Sequence, residues 1–371
     1  MKKVIKVIFK IIFYAMAFFV GVYYGIAFIG VMMNGHEGIM YMLDLLVAFF
    51  LAYNVGIIVH EAGHLVFGLL TGYSFSSFRI WSFMLIKQNG KFNLRRFKLM
   101  GTGGQCLMIP PEREETKTRV ILYNLGGVIL NLVFALICAL LNYILPDIYI
   151  LSTFLWMSAV FSAFTLLTNG IPLNVGGIAN DGMNALHLSK NADAAEAFHK
   201  TLLINAAQTE GVRISEMPDE WFSLREGADM QNVHCASLAV FAANRHLDRG
   251  DILTAEKEIS AILNSGYNII GLHRNLLICD LICCQLINNS DADVSHHLTP
   301  ELNKLMQNMK TYPSVIRTQY ILALLSEKNE KKAEKILSDF HIKTKKFPYR
   351  QEIESELSMM SKALEKSKTE I

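Results

Sequence analysis

Four long stretches of this chain contain almost no charged side chains, and they constrain its fold more than any other feature. They cover about residues 11–35, 45–72, 120–145 and 149–171. A helix of about 20 mostly apolar residues is long enough to cross a bilayer, and it satisfies its own backbone polar groups in lipid. Each stretch therefore predicts a transmembrane helix, and together they exclude a single soluble enzyme.

Charge is divided unequally between the two halves of the chain. Residues 1–182 contain 13 of the 35 Lys and Arg and 8 of the 33 Asp and Glu, which leaves 22 and 25 for residues 183–371. The second half therefore has the charged fraction of an ordinary soluble protein. We predict a membrane-embedded domain over 1–182 and a cytoplasmic helical domain over 183–371. The charge pattern also excludes a disordered chain and a nucleic-acid partner, which would need a broad basic face.

The basic residues around the spans predict their orientation, because Lys and Arg are enriched in cytoplasmic loops. Four lysines precede the first span, and nine Lys or Arg lie between the second and third spans. The other two connections, around residues 34–44 and 146–149, contain neither. This pattern predicts a multi-pass protein of the cell membrane with both termini in the cytoplasm.

The long loop between the second and third spans contains a hairpin signal. Gln88-Asn89-Gly90-Lys91 is typical of a two-residue turn, and it predicts strands over 78–86 and 92–99. We place this β-hairpin at the cytoplasmic membrane surface, where its edge could pair with an extended peptide. A basic loop held near anionic lipid is a second, compatible interpretation.

The second span contains the sequence His60-Glu61-Ala62-Gly63-His64. Residues four apart lie on one helix face, so the two imidazoles could hold Zn²⁺ while the adjacent carboxylate acts as a general base. A charge at membrane depth costs about 2.5 kcal/mol or more. Three ionisable groups in one otherwise uncharged span therefore indicate a compensating interaction such as metal ligation. The alternative is a polar cluster at a helix cap or at the lipid interface.

With two further motifs, this span resembles the site-2 protease family of intramembrane zinc metalloproteases. Asn169-Gly170-Ile171-Pro172, followed by Asp181-Gly182, is similar to the family's N-x-x-P and D-G motifs. Gly126 to Asn131 is more weakly similar to its G-P-x-x-N motif, with Val128 in the place of the proline. The resemblance covers about residues 42–182.

The resemblance implies a site and its chemistry. It implies one zinc ion per chain with three protein ligands: His60, His64 and Asp181. It further implies that Glu61 is the general base, and that Asn169, and less directly Asn131, contacts the oxyanion or the substrate backbone. For Asn131 an interhelical hydrogen bond is an equal alternative. Eight residues separate Pro172 from Asp181, more than in the family pattern, and a loop containing Gly176-Gly177 would have to return Asp181 to the metal.

The second half of the chain shows helical periodicity, with Ala, Leu and Ile recurring at three- and four-residue spacing. Residues 235–248 and 252–264 predict one helix pair, 314–326 and 330–340 predict another, and a charged helix or tail follows residue 347. The pairs resemble a degenerate tetratricopeptide-like array, which would present a concave face to a protein partner.

These observations predict an all-α polytopic membrane domain of four transmembrane helices with a membrane-surface β-hairpin, followed by an all-α, repeat-like soluble domain. The leading hypothesis is a zinc-dependent intramembrane endopeptidase, in contact with the lipid bilayer, that hydrolyses a peptide bond in or near the transmembrane segment of a membrane-anchored protein or hydrophobic peptide, near the cytoplasmic face. The alternative is a non-catalytic membrane adaptor that binds hydrophobic peptides and relays a signal through its helical domain. A third possibility, a membrane-anchored zinc protease with Glu196 as the downstream ligand, conflicts with the apolar surroundings of His60.

Overall fold

The computed structural model describes residues 36–97, 102–111, 117–145, 148–175, 178–345 and 347–369, together with nine scattered positions between 11 and 29. The predicted first span, residues 11–35, lies outside the described residues apart from those positions, so it stays a prediction. The chain forms two compact units. The first comprises residues 1–74, 101–106 and 111–190, and the second comprises residues 75–100, 107–110 and 191–371.

Among the described residues, all strands lie in the first half of the chain, and the second half contains only helices and their connections. In chain order they are α1 (His36–Leu70), β1 (Ser74–Ile80), β2 (Phe83–Gln88), β3 (Lys91–Arg96), β4 (Gly104–Ile109), α2 (Lys117–Ile144), α3 (Tyr149–Gly170), β5 (Asn174–Val175), β6 (Ile178–Ala179), α4 (Asp181–Lys190), α5 (Ala192–Glu210), α6 (Val233–Arg249), α7 (Ile252–Asn264), α8 (Gly271–Asn288), α9 (Pro300–Asn308), α10 (Pro313–Ile321), α11 (Glu330–Thr344) and α12 (Arg350–Thr369).

Three long helices, α1, α2 and α3, dominate the first unit. Each is long and apolar enough to cross a membrane, and they lie at the second, third and fourth predicted spans. Large apolar side chains cover their outer surfaces, as at Phe50 (64% exposed) and Leu136 (62% exposed). In water such surfaces would be unfavourable, whereas lipid tails are as apolar as these side chains.

The strands β1 to β4 form one sheet in the order β3-β2-β1-β4. The predicted turn at Asn89-Gly90 is confirmed, because Gln88 of β2 lies opposite Lys91 of the antiparallel β3. The two turn residues have φ angles of 50° and 73°, as a type I′ turn requires.

The predicted extent of the first hairpin strand, residues 78–86, is wrong. A second two-residue turn at Trp81-Ser82 divides it into β1 and β2, which are antiparallel, with Ile80 opposite Phe83. Trp81 has a φ of 53°, which is uncommon for a large side chain. This turn contains none of Gly, Asn and Asp, the residues that indicate a two-residue hairpin turn in a sequence.

Within the described residues, the second unit combines most of this sheet, except Ser74 and residues 104–106, with the helices α5 to α12. The predicted pair at 235–248 and 252–264 corresponds to α6 and α7. The pair at 314–326 and 330–340 corresponds to α10, its π-helical continuation Leu322–Ser326, and α11. The charged C-terminal segment forms α12. The repeat-like character of these helices stays a prediction.

A buried ion network interrupts the apolar core of the second unit. Ile259 and Phe340 are among the core side chains with no exposed surface. Within this core the Arg317 guanidinium, 2% exposed, donates to Asp280 at 2.5 Å and lies 3.3 Å from a Glu356 carboxylate oxygen. A buried guanidinium without such partners would be strongly destabilising.

Candidate metal centre

The two histidines of the H-E-x-x-H sequence lie on one face of α1, ten and six residues before that helix ends at Leu70. Their Nε2 atoms are 3.3 Å apart, and their rings meet edge to face with centroids 4.9 Å apart. His60 is 9% exposed, and the side chain of His64 is 12% exposed. The helix therefore directs two imidazole nitrogens to one nearly buried point.

Asp181, the first residue of α4, completes the group from a distant part of the chain. Its Oδ2 atom lies 3.0 Å from Nε2 of His60 and 3.5 Å from Nε2 of His64. That oxygen is buried, yet it makes no hydrogen bond of acceptable geometry with the described residues. Among those residues, these three form the one group of at least three His, Cys, Asp or Glu that could hold a metal ion.

The separations within this group suit tetrahedral zinc. Zinc binds His nitrogen and carboxylate oxygen at about 2.0–2.2 Å, and a tetrahedron with such bonds has edges of about 3.3–3.6 Å. The three separations are 3.0, 3.3 and 3.5 Å. A buried carboxylate oxygen without a hydrogen bond, facing two imidazoles at these distances, is where a cation fits.

Two residues of helix α2 contact the Nδ1 atoms of the imidazoles, on the opposite side of each ring from Nε2. Nδ1 of His64 lies 2.9 Å from the Tyr123 carbonyl oxygen, which fixes the proton on Nδ1 because a carbonyl can only accept. Nδ1 of His60 lies 3.3 Å from the side-chain amide of Asn131, which is fully buried. The lone pair of His64 Nε2 therefore points toward Asp181.

The orientation of the Asn131 side-chain amide decides whether the Nε2 lone pair of His60 is also directed toward Asp181. Its Oδ1 atom is buried without a hydrogen bond, while its Nδ2 atom faces His60. Exchange of the oxygen and nitrogen positions of this amide would let Oδ1 accept the Nδ1 proton of His60. His60 would then also present a free Nε2 lone pair, as metal-ligating histidines do.

Glycines at the α1–α2 crossing allow this close approach. A Cβ atom added at Gly63 would lie 2.3 Å from the Gly126 carbonyl oxygen, and one at Gly127 would lie 2.7 Å from the His60 ring. Small residues let helix backbones meet within a membrane. At Gly104, an added Cβ would lie 2.5 Å from the carboxylate of Glu61, which is 8% exposed. The first residue of β4 thus forms a wall against that carboxylate.

A small hairpin accounts for the long spacer before Asp181. β5 and β6 are antiparallel, and the Asn180 side chain ties their base to both adjoining helices. Its Oδ1 accepts from the main-chain nitrogens of Leu173 and Met183 at 3.0 and 2.9 Å, and its Nδ2 donates to the carbonyls of Thr168 and Ile171 at 2.6 and 2.7 Å. Gly176-Gly177 lies outside the described residues.

Asn180 is a residue that the sequence interpretation missed. An Asn directly before a helix is a preferred N-cap, so its position before Asp181-Gly182 was an available signal. The cap places Asp181 in the first helical turn, where a carboxylate is favoured by the helix dipole.

The two predicted asparagines lie in different environments. Asn169, in the last turn of α3, donates to the Thr165 carbonyl at 3.3 Å, and a Cβ added at Gly182 would lie 3.0 Å from its main-chain oxygen. Asn131 contacts His60, and because the two residues lie on different helices this is an interhelical contact.

Glu196, the alternative third ligand, lies in the second unit and pairs with Lys200 at 2.6 Å.

Comparison with known proteins gives one match. Residues 48–361 match a family model described as Peptidase family M50. The match extends well beyond residues 42–182, where the sequence motifs lie, and includes most of the second unit. No curated protein and no solved structure matches the chain significantly.

Proposed function

Since the chain belongs to peptidase family M50, the site-2 protease family of membrane metalloproteases, we propose that it is a zinc-dependent intramembrane endopeptidase. It would hydrolyse a peptide bond in or near the transmembrane segment of a membrane-anchored protein or hydrophobic peptide. The observation that carries this proposal is the convergence of His60, His64 and Asp181, whose ligand atoms all lie within 4.8 Å of one another.

The proposed roles follow from where each side chain lies. His60, His64 and Asp181 would hold the zinc ion, which when bound polarises the scissile carbonyl and lowers the pKa of a water molecule. Glu61, next to His60 on the same helix and buried against Gly104, would accept the proton of the attacking water and deliver it to the leaving amine.

The two asparagines would have different roles: Asn169 would contact the substrate, whereas Asn131 contacts the proposed metal ligand His60. Asn169 is the candidate donor to the oxyanion, because its position in the last turn of α3 adjoins Gly182, the residue after Asp181. This role requires its amide to exchange the intrahelical bond to Thr165 for one to substrate. For Asn131, contact with the oxyanion is the weaker proposal, since its amide already faces His60.

We further propose a multi-pass location in the cell membrane with cytoplasmic termini, supported by three apolar helices and by the positive charge of the connecting segments. A water-accessible cavity would open to the cytoplasm where α3 ends before Pro172, because irregular backbone at membrane depth is tolerated only next to protein or water. No observation on the described residues favours the adaptor alternative.

Glu61→Gln is the decisive test. The full chain, wild type or variant, is expressed in otherwise identical cells, and membrane proteomics records fragments that accumulate only with wild type. We expect Glu61→Gln to abolish the fragment while purified variant protein retains stoichiometric zinc, and Asp181→Ala to lose both. Asp44→Asn, a carboxylate change elsewhere on α1, is the matched control. Cleavage at the wild-type rate by Glu61→Gln would refute hydrolysis at this site.

A further inference from the structure

A cavity of about 690 Å³ lies within the second unit, and none of its lining residues belongs to the group of His60, His64 and Asp181. One wall comes from the β2–β3 hairpin, and the other comes from the connection between α11 and α12. Ligand pockets typically have volumes of about 300–1,000 Å³. The cavity is therefore large enough for a segment of another molecule.

Both walls carry unpaired positive charge. Arg95 and Arg96 lie on the hairpin wall, Lys345 and Arg350 lie on the other, and all four are exposed. None of the four side chains forms an ion pair or a hydrogen bond with another residue that the structure describes. Unpaired cations around a concave surface concentrate positive potential there and attract anions.

The acidic side chains of the cavity do not cancel this charge. Two carboxylates line it, those of Glu210 and Glu354. Glu210 already accepts a hydrogen bond of 2.7 Å from the main-chain nitrogen of Asn89, in the hairpin turn. Four cations against two carboxylates leave a net charge of +2, and a ligand that complements it must be acidic.

Apolar side chains lie between the cations. Phe83 and Leu94, on the hairpin wall, are 51% and 66% exposed, and the Arg96 guanidinium lies 5.2 Å from the centre of the Phe83 ring. Exposed apolar side chains of this size are unfavourable in water, so a ligand that covers them gains free energy. The cavity thus suits a ligand with both carboxylates and an apolar group.

An aromatic cluster connects the two walls and holds the cavity open. Phe97, just after β3, has its ring centre 5.8 Å from that of Phe347 and 6.0 Å from that of Tyr312. Phe347 also meets Tyr349 at 5.9 Å. A cavity that is formed before the ligand arrives binds it with less loss of conformational entropy.

We propose that this cavity binds an acidic peptide segment of a partner protein, in which carboxylates flank an apolar side chain. An elongated segment matches two pairs of cations on opposite walls with apolar surface between them. A single phosphate group would instead need donors that converge on one point. The proposal concerns recruitment by the second unit and does not depend on the proposed peptidase activity.

The test measures peptide binding to the full chain in nanodiscs of uncharged phosphatidylcholine. The probe is a short fluorescent peptide that alternates Asp or Glu with Phe, and the same peptide with Lys in place of the acids is the comparison. The variant Arg95→Glu/Arg350→Glu reverses one charge on each wall at exposed positions, so folding is not threatened. Lys331→Glu, an exposed change on α11 outside the cavity, is the matched control.

We expect the acidic peptide to bind more weakly as salt increases and to lose roughly tenfold or more in affinity with the double variant. Lys331→Glu should bind it as wild type does. Equal binding of the basic peptide, equal weakening by Lys331→Glu, or no binding to wild type would overturn the proposal. Anionic phosphatidylglycerol vesicles form a second arm. If the double variant loses vesicle binding and keeps peptide binding, the occupant is a lipid headgroup and the peptide proposal is wrong.

Discussion

Asn180→Ala should weaken zinc binding although Asn180 is not itself a ligand. Its side chain makes four hydrogen bonds that join the end of α3, the base of the β5–β6 hairpin and the first turn of α4. A typical hydrogen bond contributes about 0.5–1.5 kcal/mol net, which gives about 2–6 kcal/mol for four independent bonds. Asn180 is only partly buried, so water replaces some of them, and we expect about 2–3 kcal/mol.

In the variant, the loop is no longer ordered by these bonds, so ordering it to bring Asp181 to the metal reduces the free energy of zinc binding by the same amount. Each 1.4 kcal/mol corresponds to a factor of ten in a dissociation constant, so zinc affinity should fall roughly 30-fold to 140-fold. A chelator competition titration of the purified full chain measures it. Hydrogen exchange at the main-chain nitrogens of Leu173 and Met183 should accelerate with or without zinc.

Asn184→Ala is the control for this experiment, because Asn184 lies in α4, the helix that Asn180 precedes, and its side chain makes no hydrogen bond with the residues described. It should leave zinc affinity and hydrogen exchange unchanged. If Asn180→Ala binds zinc as tightly as wild type while exchange at Met183 accelerates, the loop would have lost order without any effect on zinc binding, and the reasoning would be refuted.

Three further predictions address other parts of the molecule. Asn131→Ala should lower zinc affinity roughly 10–100-fold by freeing the His60 ring, and Asn131→Asp, which retains an acceptor for the Nδ1 proton, should restore most of it in the same chelator titration. Gly127→Ala should abolish stoichiometric zinc binding, because its methyl group would lie 2.7 Å from the His60 ring. Gly56→Ala is the control, since the nearest atom to its methyl group would be 4.0 Å away. Metal analysis of the two purified variants measures the difference. Burial, and then neighbouring carboxylates, raise the pKa of Glu352 to about 8 from 4.5, so its contribution to stability is present below pH 4.5 and is lost as pH rises toward 8. Glu352→Gln should therefore raise the thermal stability of the second unit at pH 9 by roughly 1–3 kcal/mol, with little effect at pH 4; an equal effect at both pH values would contradict this.

The extent to which the sequence predicted the site depends on the range of the interactions involved. The adjacency of His60 and His64 follows from helix periodicity alone, and their occurrence in an apolar span made them recognisable. The return of Asp181 to the same point depends on a hairpin and on four bonds from Asn180, which no local pattern specifies. The close contacts at Gly63 and Gly127 likewise become visible only when two helices are packed together.

The same distinction applies to the fold. The long apolar helices and the Asn89-Gly90 turn were predictable, because each is encoded within a few turns or residues of sequence. The turn at Trp81-Ser82 was not, since Ser is a weak turn former and Trp81 has a positive φ, which is uncommon for a large side chain. The association of residues 75–100 with the C-terminal helices in one compact unit was not predictable either, because it depends on contacts such as those of Phe97 with residues more than 200 positions away.

The position of the histidines along α1 limits which peptides could be cut. His60 lies ten residues, or about 15 Å, before the end of a helix of 35 residues, so a reacting peptide bond must reach a point surrounded by apolar side chains. A membrane anchor that arrives there as an intact helix has every amide hydrogen-bonded and its carbonyls shielded by side chains. Susceptibility to the proposed peptidase activity should therefore follow the ease with which an anchor unwinds locally, and anchors interrupted by Gly or Pro should be cut faster than uniform Leu-rich anchors of equal length.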